Sequence, residues 1–153
     1  MTLIRKLEPS DLPCLIKLCA EHAAFEQASY DVTGKVKKLE GAIFSDTPSV
    51  FVWVAVQQNV LVGYASATLD FSTWDAAPFV HLDCLYLQAQ VRSQGVGKKL
   101  LETVIDFAKS KHCVNVQWQT PVWNVDAQKF YSHFGAVQKA KERFILPLEY
   151  NDD

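Results

Sequence analysis

The sequence has no apolar run near the eighteen or so residues that a membrane-spanning helix needs, which excludes an integral helical membrane protein and predicts no membrane partner. It has little excess charge. Fifteen Lys and Arg against 17 Asp and Glu leave a formal net charge of −2, so nothing basic enough to favour nucleic acid as the main partner is present. The opening stretch MTLIRKLEPSD is too short and too charged for a secretory signal. Cysteines are few. Cys14, Cys19, Cys84 and Cys113 show neither C-x-x-C spacing nor the histidine spacing of a zinc site. Reduced thiols, a cytoplasmic location and no metal are therefore expected. No repeat, low-complexity tract or linker interrupts the 153 residues, and one domain over 1–153 is expected. What the chain does have is apolar residues, 49% of the total, enough to build a core.

The rest is organised around FVHLDCLYLQAQVRSQGVGKK, from Phe79 to Lys99. An apolar strand leads through a turn into Arg92-Ser93-Gln94-Gly95-Val96-Gly97, which opens an amphipathic helix. The first N–H groups of a helix lack internal acceptors and carry the positive end of its dipole, so this start is suited to hold a phosphate. Gly95 and Gly97 keep side chains away from those amides, and Arg92 adds a cation. A Walker A loop is excluded, because Arg92 and Lys99 stand where Gly and Ser or Thr are required. A dinucleotide fingerprint is excluded by Leu100 at its third small position.

In chain order, Thr2 to Leu7 predicts a strand, and Ser10 with Pro13 predicts the start of a helix bearing Leu12, Leu15, Ile16, Cys19 and Ala23 on one face. Phe25 to Asp31 reads as a loop, and Thr33 as the cap of a second helix. Val50 to Val56 and Val60 to Asp70 read as antiparallel strands joined at Gln57-Gln58-Asn59, with Gly63 marking a bulge or a close backbone approach. Phe71 to Ala77 connects to the organising strand. Gly97, Leu100, Leu101, Val104, Ile105 and Ala108 make a helical stripe, and Cys113 to Gln119 a parallel strand. Asn124 caps a helix closed by Gly135, and Glu142 to Leu148 reads as a last antiparallel strand. The order β-α-α-β-β-β-α-β-α-β describes an α/β (α+β) fold with a mixed antiparallel and parallel sheet.

These residues resemble the GNAT acetyltransferase superfamily. The likeness rests on Arg92-x-x-Gly95-x-Gly97 after Leu82-Asp83-Cys84-Leu85-Tyr86-Leu87, on Trp123-Asn124 followed by Ala127, Phe130-Tyr131 and Gly135-Ala136, and on the element order. Within the superfamily the chain is most similar to the spermidine/spermine and thialysine N-acetyltransferases. It shares their acidic loop after the first helix and the stretch Phe71-Ser72-Thr73-Trp74-Asp75, but has Leu82-Asp83-Cys84 where they carry Leu-Glu-Asp. The resemblance implies a GNAT-like sheet of six to seven strands with about four helices, splayed at its central parallel strands. It also implies acetyl-CoA as co-substrate and, by habit of the superfamily, a homodimer.

The activity implied is acetyl transfer to a primary amine of a small cationic acceptor, a polyamine, diamine or lysine-like molecule, by direct attack in a ternary complex. A protein amine or an aminoglycoside as acceptor, or an acyl-CoA sensor without turnover, are the alternatives. An ammonium must lose a proton before it attacks a thioester, the oxyanion needs a donor, and the departing thiolate needs an acid. Asp83 is the candidate base or substrate-orienting carboxylate. His81, two residues earlier on the strand, could act as base or tune it. The resemblance gives Tyr131 the role of acid and Asn124 a cofactor contact. It also gives Leu85, Tyr86 and Leu87 main-chain contacts to the pantetheine arm. Arg92, Gln94, Gly95, Val96, Gly97 and Lys98 would hold the diphosphate. Acceptor binding falls to Glu26, Trp74, Asp75 and Asp83, with Glu21, Asp31 and Asp70 as further acids and Trp53, Trp118 and Trp123 as possible walls.

Overall fold

Strands β1 (Thr2–Lys6), β2 (Phe51–Gln57), β3 (Val60–Ser72), β4 (Ala77–Leu87) and β5 (Val116–Gln117) lie side by side in that order. The first four are antiparallel neighbours, and β5 joins β4 in parallel. Four helices accompany them: α1 (Leu12–Phe25), α2 (Lys35–Ile43), α3 (Val96–Ser110) and α4 (Val125–Phe134). The computed structural model describes residues 1–151, in two compact units, Met1–Gln119 and the described residues from Thr120 onward.

In the first unit the alternation of β2 decides the layering. Val52 and Val54 enter a core with Leu12, Leu15 and Leu18 of α1, and with Tyr64 and Tyr86. Phe51 and Trp53 turn the other way and pack against Phe107 of α3, tilted and edge-on, with ring centroids 4.7 and 5.2 Å apart. Trp53 is thus a core residue, 5% exposed, and no wall of a binding pocket. Directly opposed residues of an antiparallel pair share a face. Ser66 and Cys84 therefore lie on the α1 side, and Ala65 and Leu85 on the α3 side.

Gln58 and Asn59 both adopt positive φ, 50° and 63°, as a two-residue turn twisting with its strands requires. Gly63 serves both uses foreseen for it. The β2–β3 register slips beside it, and a Cβ there would lie 2.8 Å from the carbonyl oxygen of Tyr86. A second slip, between Ser66 and Ala67, makes Asp83 the extra residue of β4, since Ser66 opposes Cys84 while Ala67 opposes Leu82.

The start of α1 departs from expectation. A 3-10 turn at Pro9–Asp11 precedes it, and its box is closed by Glu8 and Asp11 rather than by Ser10. Asp11 Oδ2 accepts from Glu8 N at 2.8 Å, and its carboxylate takes two bonds from Arg5, at 2.6 and 3.1 Å. Arg5 holds the Asp11 carboxyl below its ordinary value of 3.8, against a smaller upward push from burial. Asp11→Ala should therefore destabilise the fold by about 2 kcal/mol near pH 7, the scale of buried bonds to a charged group. A carboxyl whose folded pKa is depressed stabilises above its unfolded value. The gap between wild type and variant in urea unfolding should accordingly close as pH falls below about 4 and through the lower, folded value.

In the second unit α4 is capped by Asn124, whose Oδ1 accepts from Ala127 N at 3.2 Å. Gly135 closes it at φ 102°, with Ala136 N bonded to Tyr131 O. The expected strand at Glu142–Leu148 is not formed. Residues 136–151 carry no regular element, so the described sheet has five strands where six to seven were expected. Phe144, Leu146 and Leu148 alternate as in a strand, but alternation supplies no ladder, and Pro147 has no N–H to give one. Among the described residues no helix is long and apolar enough to cross a membrane.

Candidate active site

Strand β4 pairs with β3 along its whole length but with β5 only at Val80 and His81. Beyond His81 no strand lies beside its other edge among the described residues. Gln88 N bonds Val62 O at 2.9 Å, and antiparallel bonding alternates. The main chain of Tyr86 therefore faces β3, whereas those of Leu85 and Leu87 face the unpaired edge. Tyr86 consequently offers no main-chain group to a ligand at that edge. Its ring faces α1 and stacks on His22 at 5.1 Å.

Leu87 O accepts from Arg92 Nε at 3.0 Å, and the guanidinium lies 4.7 Å from the Phe25 ring and 5.8 Å from that of Tyr86. Arg92 thus joins the end of α1 to the end of β4. Gln94 Nε2 donates back to Gln90 O at 3.0 Å, steadying the loop. Ser93 and Gly95 take φ of 64° and 80°, and Gly95 is the N-cap of α3, without a side-chain cap. The first bond of the helix is Lys99 N to Gly95 O, so the amides of Val96, Gly97 and Lys98 lie before it with no intrahelical acceptor. Lys98 Nζ sits 3.7 Å from Glu102, an exposed pair of little energetic weight.

Asp83, the bulged residue, places Oδ2 3.8 Å from Cys84 Sγ. His81 opposes Thr68, on the α1 face that also carries Cys84 and Tyr64. Burial, and next the Asp83 carboxylate, push the Cys84 thiol up to about 11. Burial pushes the Cys19 thiol up as well. At neutral pH both are thiols, poor nucleophiles, which argues against an acyl-cysteine step.

The acceptor-binding expectations are not brought together at Asp83. Trp74 and Asp75 sit at the tip of the β3–β4 hairpin, where Asp75 N bonds Ser72 Oγ at 3.1 Å. The strand from Ala77 to Asp83 spans about 20 Å at about 3.3 Å per residue. Glu26 is engaged by His22, its Oε2 2.5 Å from Nε2. Glu21 accepts from Gln88 Nε2 at 3.1 Å, tying α1 to the turn after β4. Tyr131 lies on α4 with its ring 5.4 Å from that of Phe130. Among the described residues no group of three or more His, Cys, Asp and Glu could hold a metal.

Sequence reasoning missed the group behind β4. His22 Nδ1 lies 2.9 Å from the Tyr64 hydroxyl, and Tyr64 is only 3% exposed. The one signal available was the i, i+4 spacing of His22 and Glu26 on α1.

The sequence profile of the Acetyltransferase (GNAT) family matches residues 15–136. The chain is 29% identical over 160 residues to a thialysine N-epsilon-acetyltransferase of Mus musculus, covering 99% of this chain and 94% of that protein. It is 28% identical over 133 residues to the D-amino-acid N-acetyltransferase HPA3 of Saccharomyces cerevisiae, covering 84% and 81%. Its fold superposes with a TM-score of 0.82 on an aminoglycoside acetyltransferase from an uncultured soil metagenomic sample, at 21% identity, covering 97% of both chains.

Proposed function

Because the chain belongs to the GNAT acetyltransferase family, a family of acetyl-CoA-dependent enzymes, we propose that it transfers acetyl to a primary amine of a small cationic, lysine-like or polyamine acceptor by direct attack. The observation that carries this reading is the run of unpaired main chain along β4, leading directly into the uncapped start of α3. Donors without internal partners at a helix start fit a diphosphate. An open strand edge fits an extended amide-bearing arm, which can bond to it as another strand would. Relatives named for acetylating thialysine and D-amino acids support an acceptor of amino-acid size. The family match runs across both units, which supports reading 1–153 as one catalytic domain.

Acetyl-CoA supplies an activated thioester. The amides of Val96, Gly97 and Lys98 hold its diphosphate, with Gly95 setting the turn, Gln94 bracing it and Arg92 fixing the end of β4. Leu85 and Leu87 offer main-chain groups to the arm. Asp83 takes the proton that an ammonium acceptor must lose, directly or through water, and holds the acceptor by charge; His81 stands two residues away as its partner in that task. An amide of the β4 edge donates to the developing oxyanion. Tyr131 protonates the leaving sulfur, and Asn124 contacts the coenzyme; both roles rest on the Trp-Asn…Phe-Tyr motif they occupy. Glu26, Trp74 and Asp75 line the acceptor's approach, within reach of a long acceptor rather than at the reacting nitrogen.

The test is release of CoA thiol with a panel of polyamines, diamines, thialysine, lysine, D-amino acids, an aminoglycoside and a peptide amine. Release is expected with the small cationic amines. Asp83→Asn should lower kcat about 10²-fold at neutral pH and alter the pH profile, at the low end of general-base effects. An unchanged profile would move the base to His81 or water. Release with the aminoglycoside or peptide alone would reassign the acceptor, and none with any amine would leave a binding protein.

A further inference from the structure

A diamine, a polyamine or a lysine-like acceptor reacts through one nitrogen and keeps a second positive charge. The proposed function gives Asp83 the reacting nitrogen. Glu26 is engaged by His22, and Asp75 lies with Trp74 at the tip of the β3–β4 hairpin. The second charge needs another partner.

Resting on that reading, we propose that the ring face of Tyr30 is the subsite for this second ammonium, and that the chain's own Lys35 occupies it until an acceptor arrives. Lys35 Nζ lies 3.6 Å from the centroid of the Tyr30 ring. An acceptor ammonium would make the same contact. Among the described residues no carboxylate forms an ion pair with Lys35. Asp31, next to Tyr30 in the chain, is turned to the backbone and accepts from Thr33 N at 3.0 Å. The ring is thus what holds the lysine head group. Burial pushes the Tyr30 hydroxyl up to about 12, so at neutral pH the ring is an un-ionised phenol and attracts a cation through its π face.

The ring also lies on the side of the sheet that Asp83 adjoins. Tyr64 and Tyr30 both bond the Cys19 thiol through their hydroxyls. Cys19 and Cys84 pack on one core cluster, and Cys84 Sγ is 3.8 Å from Asp83 Oδ2. The charges of Lys35 and Asp83 both act on the Cys19 thiol, with opposite signs. A cation on Tyr30 and the carboxylate at the bulge therefore share one neighbourhood.

Lys35 is a weakly held occupant. Gly34, at φ 71°, is the N-cap of α2 and makes Lys35 its first residue. A cation there meets the positive end of the helix dipole, which disfavours it. A substrate ammonium replaces one cation by another on the same ring and releases Lys35 to solvent. A monoamine held at Asp83 leaves Lys35 in place, whereas a diamine displaces it.

Cadaverine and pentylamine, equal in length and unequal in charge, are the probes. Calorimetric titration with CoA in place of acetyl-CoA gives Kd values with no transfer taking place. Lys35→Met keeps the stem and removes the ammonium. It should lower the cadaverine Kd about three- to sixfold, the tax that a cation–π contact of exposed strength imposes. Pentylamine should stay within about twofold. Adding Tyr30→Leu to Lys35→Met should raise the cadaverine Kd about tenfold, whereas Tyr30→Phe in that background should hold it within about twofold. A cadaverine Kd indifferent to Lys35→Met overturns the proposal. So does an equal gain for both amines, which would be plain relief of charge repulsion. Should Tyr30→Leu fail to fold, Lys35→Met decides by the same two criteria. Thiol release with acetyl-CoA then separates the two claims. Turnover of cadaverine with unmoved Kd values sinks the subsite alone, whereas the expected Kd pattern without turnover sinks the proposed reaction and leaves the subsite standing.

Discussion

Replacing Tyr131 with Phe is expected to lower kcat by about 10²- to 10⁴-fold while leaving the Kd for acetyl-CoA within about twofold. A phenol of ordinary pKa near 10 is protonated at neutral pH and can hand its proton to a departing thiolate. Phe keeps the ring against Phe130, 5.4 Å away, and keeps the helix that Asn124 caps, so the change is confined to the hydroxyl. Calorimetric titration with acetyl-CoA beside steady-state kinetics separates the two quantities. Unchanged turnover would remove Tyr131 from the mechanism. A fall in affinity matching the fall in rate would make it a binding residue instead.

Gly63→Ala should be nearly as damaging, by another route. A Cβ at Gly63 would stand 2.5 Å from Leu87 Cδ2 and 2.8 Å from the Tyr86 carbonyl oxygen. The leucine can swing aside, but the carbonyl belongs to the β3–β4 ladder and moves only if the strands part. Overpacking of this kind costs about 2–3 kcal/mol, read as a lower midpoint in urea. The displaced strand end also carries Leu87, whose oxygen anchors Arg92, and leads into the turn before α3. Weaker acetyl-CoA binding should therefore accompany the lost stability even at temperatures where the variant stays folded. Wild-type stability would show that the two strands have slack at this point.

The organising strand, its glycine turn and the helix after it were legible because each rests on local chemistry. Apolar alternation, two glycines and a 3.6-residue stripe needed no distant partner. The hairpin at Gln58-Asn59 and the double role of Gly63 were legible for the same reason. Where a residue's place depends on something far along the chain, the sequence was silent or misleading. Ser10 has the chemistry of a cap, yet Arg5 draws Asp11 into that office. Trp53 could have lined a cleft, but Phe107 claims it. Phe144 to Leu148 has a strand's composition without a ladder. His22 and Tyr64, 42 residues apart, meet only once α1 lies across the sheet. Asp83 was visible as an acid in an apolar strand, but its bulge was not, since an unbroken strand would read the same.

That one added residue divides β4 into halves that are out of step. Upstream, Val80 and Leu82 fill the layer toward α3; downstream, Tyr86 fills the layer toward α1. A chain that lost the insertion would rejoin the halves into a single pleat and turn one set of buried side chains into the wrong layer. The carboxylate cannot drift along the strand by small steps, because each step would require repacking on both sides of the sheet at once. Its address is fixed by the architecture itself, which leaves the surrounding loops as the place where acceptor preference is free to change.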